Sequence, residues 1–369
     1  MRRRRFLWLA GGAPAAIAVG CGGSGGPSAT GTVTPAGAGG RLTPVDTMSV
    51  FPHTATPGLT PTATPTAVPT PPLREPVLEE FPVVRGSGPH DVAVQADGRV
   101  WYTGQRNGTM GLLDPSTGDV EEVDLGPGAS PHGVIIGPDA AAWVTEGGTN
   151  AIVRVDPATF ELTRFPLPGD RANLNTAAFD RNGVLWFTGQ NGFYGRVDPA
   201  TGTVEQQSAP RGRGPYGICA TPTGDIYYAS LAGSHIARID IATGQATPID
   251  PPTANQGARR VWSDSRGRIW VSEWNSGQVS VHDPADGSWQ EWKLPGSRPQ
   301  TYSVFVDDRD HVWLTDFAAN TIVRFTPEDE QFLSLPLTPP NAAVRQMLGR
   351  PGEVWGAESG ADALVVVRT

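Results

Sequence analysis

Residues 128–146 read Gly-Ala-Ser-Pro-His-Gly-Val-Ile-Ile-Gly-Pro-Asp-Ala-Ala-Ala-Trp-Val-Thr-Glu, and the pattern within them recurs along most of the chain. An apolar run follows Pro131-His132, a Pro-Asp turn interrupts it, and a second run is anchored by Trp143. Aligning that aromatic in RVWYTG, AAWVTE, VLWFTG, DIYYAS, RIWVSE, HVWLTD and EVWGAE gives Trp101, Trp143, Trp186, Tyr227, Trp270, Trp313 and Trp355. The anchors are 42, 43, 41, 43, 43 and 42 residues apart. Such a period, with about four short strands in each, is the signature of a β-propeller blade.

The rest of each unit agrees. A third strand ends in Asp-Pro, as in Ala-Ile-Val-Arg-Val-Asp156-Pro, and the Asp-Pro-x-Thr-Gly turn recurs at Asp114 and Asp198, with variants at Asp156, Asp240 and Asp283. Turns of this chemistry join antiparallel strands. The last unit supplies three strands, whereas Leu78-Glu-Glu-Phe-Pro-Val-Val84 precedes the first unit and has the outer-strand pattern. The expected fold is all-β, a seven-bladed propeller over 77–369 whose N-terminal strand completes the last blade and covers its edge.

Composition sets the outer limits. With 46 Gly and 36 Pro among 369 residues, a mainly helical fold is excluded, since both residues are costly inside helices. A net charge of −9 argues against a nucleic-acid partner, and two cysteines exclude a disulfide framework.

The first 76 residues read differently. Met1–Cys21 has a basic start, a short apolar stretch and Ala18-Val19-Gly20-Cys21, which resembles a lipobox, after Arg3-Arg4-Arg5-Phe6-Leu7, which resembles a twin-arginine pattern. The apolar stretch is too short to span a bilayer, so an exported protein, anchored by lipid on Cys21 to the outer face of a bacterial membrane, is expected. Residues 22–76 are rich in Gly, Thr and Pro and are expected to be a disordered tether. The expected membrane contact is the lipid alone, and the expected state is a monomer.

In a propeller, the loops entering the inner strands and leaving the second strands open on one face around a central channel. Eleven residues before the anchors stand His90, His132, Asn175, Tyr216, Arg259, Tyr302 and, with its register less regular, Val344 beside Arg345. Three residues after them stand Gly104, Glu146, Gly189, Ser230, Glu273, Asp316 and Glu358. Both sets vary from blade to blade while staying largely polar, which marks a site at the channel mouth for a small-molecule or cyclic-peptide ligand. His90 and His132 hold equivalent places in consecutive blades, and imidazole suits proton transfer near neutral pH. Glu146, Glu273, Asp316 and Glu358 are read either as an acidic ring for a divalent cation or as solvated loop carboxylates. Arg259, Arg260 and Arg345 either neutralise them or hold an anionic group. Trp274, Tyr302 and Phe317 are candidates for an apolar floor. His235, His282 and His311 lie off these rings and are expected to be structural, and Cys219 on an inner strand is expected to be an inert thiol.

The units at 128–146 and 268–274, with the third strands Asn150–Arg154 and Asn320–Arg324, resemble the virginiamycin B lyase (streptogramin B lyase) family of seven-bladed propellers. The likeness covers about residues 77–369. It implies a lyase that opens the ester of cyclic depsipeptide antibiotics by elimination and uses magnesium. It carries the catalytic roles onto His132, His90 and Glu146, and the acidic ring then offers Glu146 with Glu273 as metal ligands. Asn175, Tyr216, Arg259, Arg260, Trp274, Tyr302, Arg345 and Glu358 would then contact substrate. The chain has Ser130 where the family carries a metal-binding Glu two residues before the second histidine. Two other activities fit a propeller mouth: a calcium-dependent lactonase or esterase of the gluconolactonase type, and a non-catalytic extracytoplasmic binding propeller.

Overall fold

The computed structural model describes residues 75–369. The export and lipid-anchor reading, Cys21 included, and nearly all of the expected tether lie outside these residues. The described residues form one compact unit, whose first strand begins at Val77.

The described chain forms seven four-stranded antiparallel sheets. Blades 1 to 6 span 89–124, 131–166, 174–208, 215–249, 258–293 and 301–336, and blade 7 joins 344–368 to the N-terminal strand Val77–Pro82. That strand pairs antiparallel with Ala363–Arg368 in the register Val77↔Arg368 to Pro82↔Ala363. The expected closure of the ring is therefore borne out. It is reinforced by the carboxylate of Asp362, which accepts hydrogen bonds from the Gly86 and Gly88 amides at 2.8 and 2.9 Å.

The core is a circle of layers between neighbouring blades. Trp101 of blade 1 packs with Val134, Ala142 and Val144 of blade 2, and Trp143 with Leu174, Leu185 and Phe187 of blade 3. The layer joining blade 7 to blade 1 holds Trp355, Leu364 and Val366 against Val92 and Tyr102, with Phe81 of the closing strand. All six tryptophan anchors are 0–1 % exposed. Replacing one by Ala would cost about 3–5 kcal/mol. Burying an indole also buries its N–H, and in four blades the turn before the anchor strand supplies the acceptor. Asp139, Asp180, Asp264 and Asp307 accept from Trp143, Trp186, Trp270 and Trp313 at 2.8–3.0 Å. Asp180, Asp264 and Asp307 each also take two amides of their own turn, so one side chain fixes the turn and the anchor together.

Every inner strand shifts register near its start, between Pro89 and Val92 in blade 1 and at the corresponding place in the other six. A bulge re-aims the side chains of the residues it contains. Here those residues include His90, His132, Asn175, Tyr216, Arg259, Tyr302 and Arg345. Hydroxyls on the second strands tie one bulge to the next: Thr103 accepts from the Asp91 amide at 3.0 Å and donates to the His132 carbonyl at 2.9 Å. Ser272 links Arg260 to Tyr302 in the same way, at 3.1 and 2.7 Å.

Candidate functional site: the channel mouth

The seven bulge residues converge. The imidazoles of His90 and His132 lie 3.8 Å apart, centroid to centroid, tilted by 48°. Behind His90, Asp91 accepts from its Nδ1–H at 2.7 Å and takes an Arg260 N–H at 3.2 Å. On the other side, Nε2 of His90 lies 3.4 Å from the Tyr302 hydroxyl, which lies 2.8 Å from that of Tyr216. Arg259 Nη2 donates to the Tyr216 oxygen at 2.9 Å. Proton donors and acceptors can therefore be ordered in one direction: Arg259 to Tyr216, Tyr216 to Tyr302, Tyr302 to His90, His90 to Asp91. This chain is drawn from blades 5, 4, 6 and 1, and Arg345 of blade 7 adds an N–H at 3.4 Å from the Tyr302 hydroxyl.

His132 stands apart from the chain. Its Nε2 pairs with the Asn175 side-chain amide at 3.1 Å, and its Nδ1 has no protein partner although it is buried. With Asn175 turned to accept, Nε2 carries the hydrogen and Nδ1 a lone pair; turned to donate, the tautomer reverses. Either way, Nδ1 is the nitrogen at which a proton can be taken or given. His132 is 7 % exposed against 2 % for His90, so it is the imidazole nearer to solvent.

Electrostatics divide these groups. Burial first, then Arg345, Arg260 and Arg259, hold His90 well below the usual imidazole range. Burial first, then the neighbouring His90, does the same to His132, against which Asp91 pulls. Both are neutral at pH 7. Burial raises the Asp91 carboxyl while Arg260 opposes it. For Tyr302, burial works against ionisation, yet Arg259, Arg260 and Arg345, helped by the Tyr216 hydroxyl, outweigh it and bring the phenol down to about 7. Tyr216 goes the other way, up to about 12, through burial and then the adjacent Tyr302.

The expected aromatic floor is present. Tyr302 and Phe317 stack at 4.7 Å, and Trp274 meets both edge-on at 6.0 and 5.5 Å. The Arg259 guanidinium lies over the rings of Tyr302, Trp274 and Tyr216 at 3.8, 4.5 and 4.7 Å. Below the mouth the channel narrows to a cavity of about 20 Å³ lined by Asp91, Thr176, Arg260 and Gln346 among others, room for about one water.

The carboxylates of the second ring are held locally where they are bonded at all. Glu146 is spent on its own turn, accepting from the amides of Ser130 at 2.5 Å, Gly148 at 2.7 Å and Thr149 at 2.6 Å, and from the Thr149 hydroxyl. Glu273 accepts from the hydroxyls of Ser276 and Ser280, both at 2.7 Å, and Asp316 from the amides of Gln300 and Ala318, both at 2.9 Å. Burial raises Glu273 to about 7. Glu358 is wholly buried in blade 7 with neither oxygen bonded. None of the four makes a hydrogen bond to a residue of the histidine ring: Glu146 and Asp316 accept from the loops on both sides of them, Glu273 from Ser276 and Ser280, and Glu358 from nothing. Glu146 and Glu273 thus each bond locally, and Glu358 makes no bond to the mouth.

Magnesium requires a near-octahedral set of oxygen donors. Among the described residues, the group of His, Cys, Asp and Glu whose ligand atoms all come within 4.8 Å of one another is His90, Asp91 and His132, two imidazoles and one carboxylate. Three guanidiniums surround it, one of them already on Asp91. This donor set does not fit magnesium or calcium.

Asp91, Gln346 and the hydroxyl of Thr103 are the members that the sequence reading did not assign to the mouth. The available signal was Asp91 itself, directly after Pro-His. The off-ring groups behave as expected: His235 and His282 bond backbone carbonyls at 3.1 and 3.3 Å, and His311 bonds Asp307 at 3.2 Å. Cys219 is buried, which pushes its thiol up.

These features define a seven-bladed propeller with a hydrogen-bonded, cation-rich channel mouth. The sequence profile of the Virginiamycin B lyase family matches residues 74–286, and the chain belongs to that family. Among solved structures, a streptogramin B lyase is 25 % identical with a TM-score of 0.74, the match covering 79 % of this chain and 97 % of that one. A catalytically inactive virginiamycin B lyase from Staphylococcus aureus, with quinupristin, is 21 % identical with a TM-score of 0.75, covering 80 % of this chain and 100 % of that one. Hydrazine synthase from Kuenenia stuttgartiensis, at 14 % identity and a TM-score of 0.65 over 78 % of this chain and 97 % of that one, shares the fold alone. No curated protein matches the sequence.

Proposed function

We propose that the protein is a streptogramin B lyase-like enzyme that opens the ester of a cyclic depsipeptide by elimination, with His132 as the proton acceptor and no metal in the step. The observation that carries this reading is the unpartnered Nδ1 of a neutral His132, packed against a second imidazole that Asp91 orients. In the elimination, Nδ1 takes the proton on the carbon alpha to a carbonyl. The C–H electrons become the new C=C bond. The bond from the beta carbon to the ester oxygen breaks, and its electrons leave on the carboxylate. Negative charge develops first at the enolate and then at that carboxylate, and Arg259 and Arg345 are the half-buried cations at hand to stabilise it. His90, held by Asp91 behind it and Tyr302 beside it, fixes the ring against which His132 packs.

Burial and neighbouring cations hold the His132 value below the ordinary range, so the base form persists at pH 7. The calcium lactonase reading has less support, because the carboxylates it needs are held in loop turns.

The test is incubation of the purified chain with a type B streptogramin, wild type against His132→Ala, followed by mass spectrometry and chromatography. The expected product of the wild type is linear and of unchanged mass, with a rate about 10²–10⁴-fold lower in the variant. A product heavier by one water would assign hydrolysis instead. Antibiotic left intact by both proteins would remove the lyase reading and favour a binding propeller.

A further inference from the structure

The charge balance of the mouth points to the ligand. The chain carries a net charge of −9, yet three guanidiniums, Arg259, Arg260 and Arg345, gather around Tyr302, 3.8, 5.7 and 5.6 Å from its ring centre. The carboxylate that faces them is Asp91, and it is already paired with Arg260. Among the described residues, neither Arg259 nor Arg345 has a carboxylate oxygen within 4.0 Å. Arg259 Nε is buried without an acceptor. Arg345 spends Nε on the Ser359 hydroxyl at 2.8 Å and Nη1 on Tyr302. Ionised Tyr302 would offset one positive charge, and one guanidinium would still lack a counter-charge.

A second observation extends this outward. Trp274, which packs on Arg259 at the mouth, is also a wall of an open groove of about 580 Å³. Its lining includes Lys293, Arg298, Asn275 and Gln300 and contains no acidic residue. Cation–π stacking holds the Arg259 and Arg345 forks in place before any ligand arrives, which lowers the cost of binding. A fixed guanidinium fork matches the two oxygens of a carboxylate. The stacked Tyr302 and Phe317 rings beside the forks provide a surface for a flat group attached to it.

We propose that Arg259 and Arg345, continued by the groove behind Trp274, form a recognition site for a flat or aromatic carboxylate, the group that ring opening of the ester would release at this mouth. The inference deepens the lyase reading and rests on its placement of the ligand at this mouth, but it needs no turnover.

Isothermal titration of the full chain with benzoate and with benzamide at matched ionic strength tests it. Saturable benzoate binding is expected, at least about tenfold tighter than benzamide, and at least about tenfold weaker in each of Arg259→Gln and Arg345→Gln. Arg238→Gln, on an exposed outer position, should bind benzoate as the wild type does. Equal binding of benzoate and benzamide would overturn the proposal, as would wild-type affinity in both mouth variants or phosphate binding more tightly than benzoate. Should a mouth variant fail to fold, the wild-type comparison of the two probes still decides. A chain that prefers benzoate yet leaves streptogramin intact keeps this site and loses the lyase reading. Streptogramin opening without a benzoate preference has the opposite consequence.

Discussion

Glu146, Glu273, Asp316 and Glu358 hold one repeat position, and three of them cap or brace their own loops while Glu358 bonds nothing. Spacing could show that these carboxylates are equivalent. It could not show that a short acidic side chain at a strand end would accept from amides two and three residues on, which removes it from the mouth. Asp91 shows the converse, since only the bulge explains how a residue next to His90 in sequence folds back onto its Nδ1. For Glu358, burial first and then Glu80 raise the carboxyl from an ordinary 4.5 to about 7. The neutral form is thus favoured by the fold. Its stabilising effect is complete below the unfolded-state value and is lost as pH rises to about 7 and beyond. Glu358→Gln is expected to stabilise the protein at pH 8 by on the order of 1–3 kcal/mol, with the gain vanishing near pH 4. Thermal unfolding at the two pH values checks this, and a variant less stable than wild type at pH 8 would contradict it.

At the scale of the element, the strand pattern and its period were legible because the anchors are all buried and four of the seven turns use the same Asp chemistry. The closing strand was legible because Leu78–Val84 repeats the outer-strand pattern of the other units. Blade 7 departs by one residue: Leu348 pairs with Trp355 across a tight Pro351-Gly352 turn, whereas in blade 1 Ala93 pairs with Trp101 across a longer one. The ring position therefore falls on Arg345, ten residues before its anchor, and Val344 is buried beside it. Closure itself is testable. Deleting 77–82 removes Phe81 from the layer between blades 7 and 1, strips the pairing from Ala363–Arg368, and leaves Glu353 as the remaining acidic partner of Arg368. Losing a buried Phe alone costs about 3–5 kcal/mol, so the deletion is expected to be insoluble or to melt well below the full chain. Unchanged melting would contradict the closure.

At the scale of the whole molecule, the propeller is a device for bringing residues more than two hundred positions apart to one axis. His90 of blade 1 meets Tyr302 of blade 6, and Tyr302 in turn meets Tyr216 of blade 4 and guanidiniums from blades 5 and 7. The sequence made these residues visible as a ring, since they share a repeat position. It left the direction of the hydrogen bonds and the excess of positive charge unread, because both depend on which members of the ring touch. That convergence has a consequence in the free protein, with no ligand needed. Tyrosine ordinarily ionises near 10, but Tyr302 is held at about 7 while Tyr216 beside it is raised to about 12. The most direct measurement is an ultraviolet titration of tyrosinate on the folded chain. The expected result is the ionisation of one tyrosine near pH 7, absent in Tyr302→Phe and moved to higher pH in Arg345→Gln. A wild-type protein in which no tyrosine ionises below about pH 9 would contradict the account.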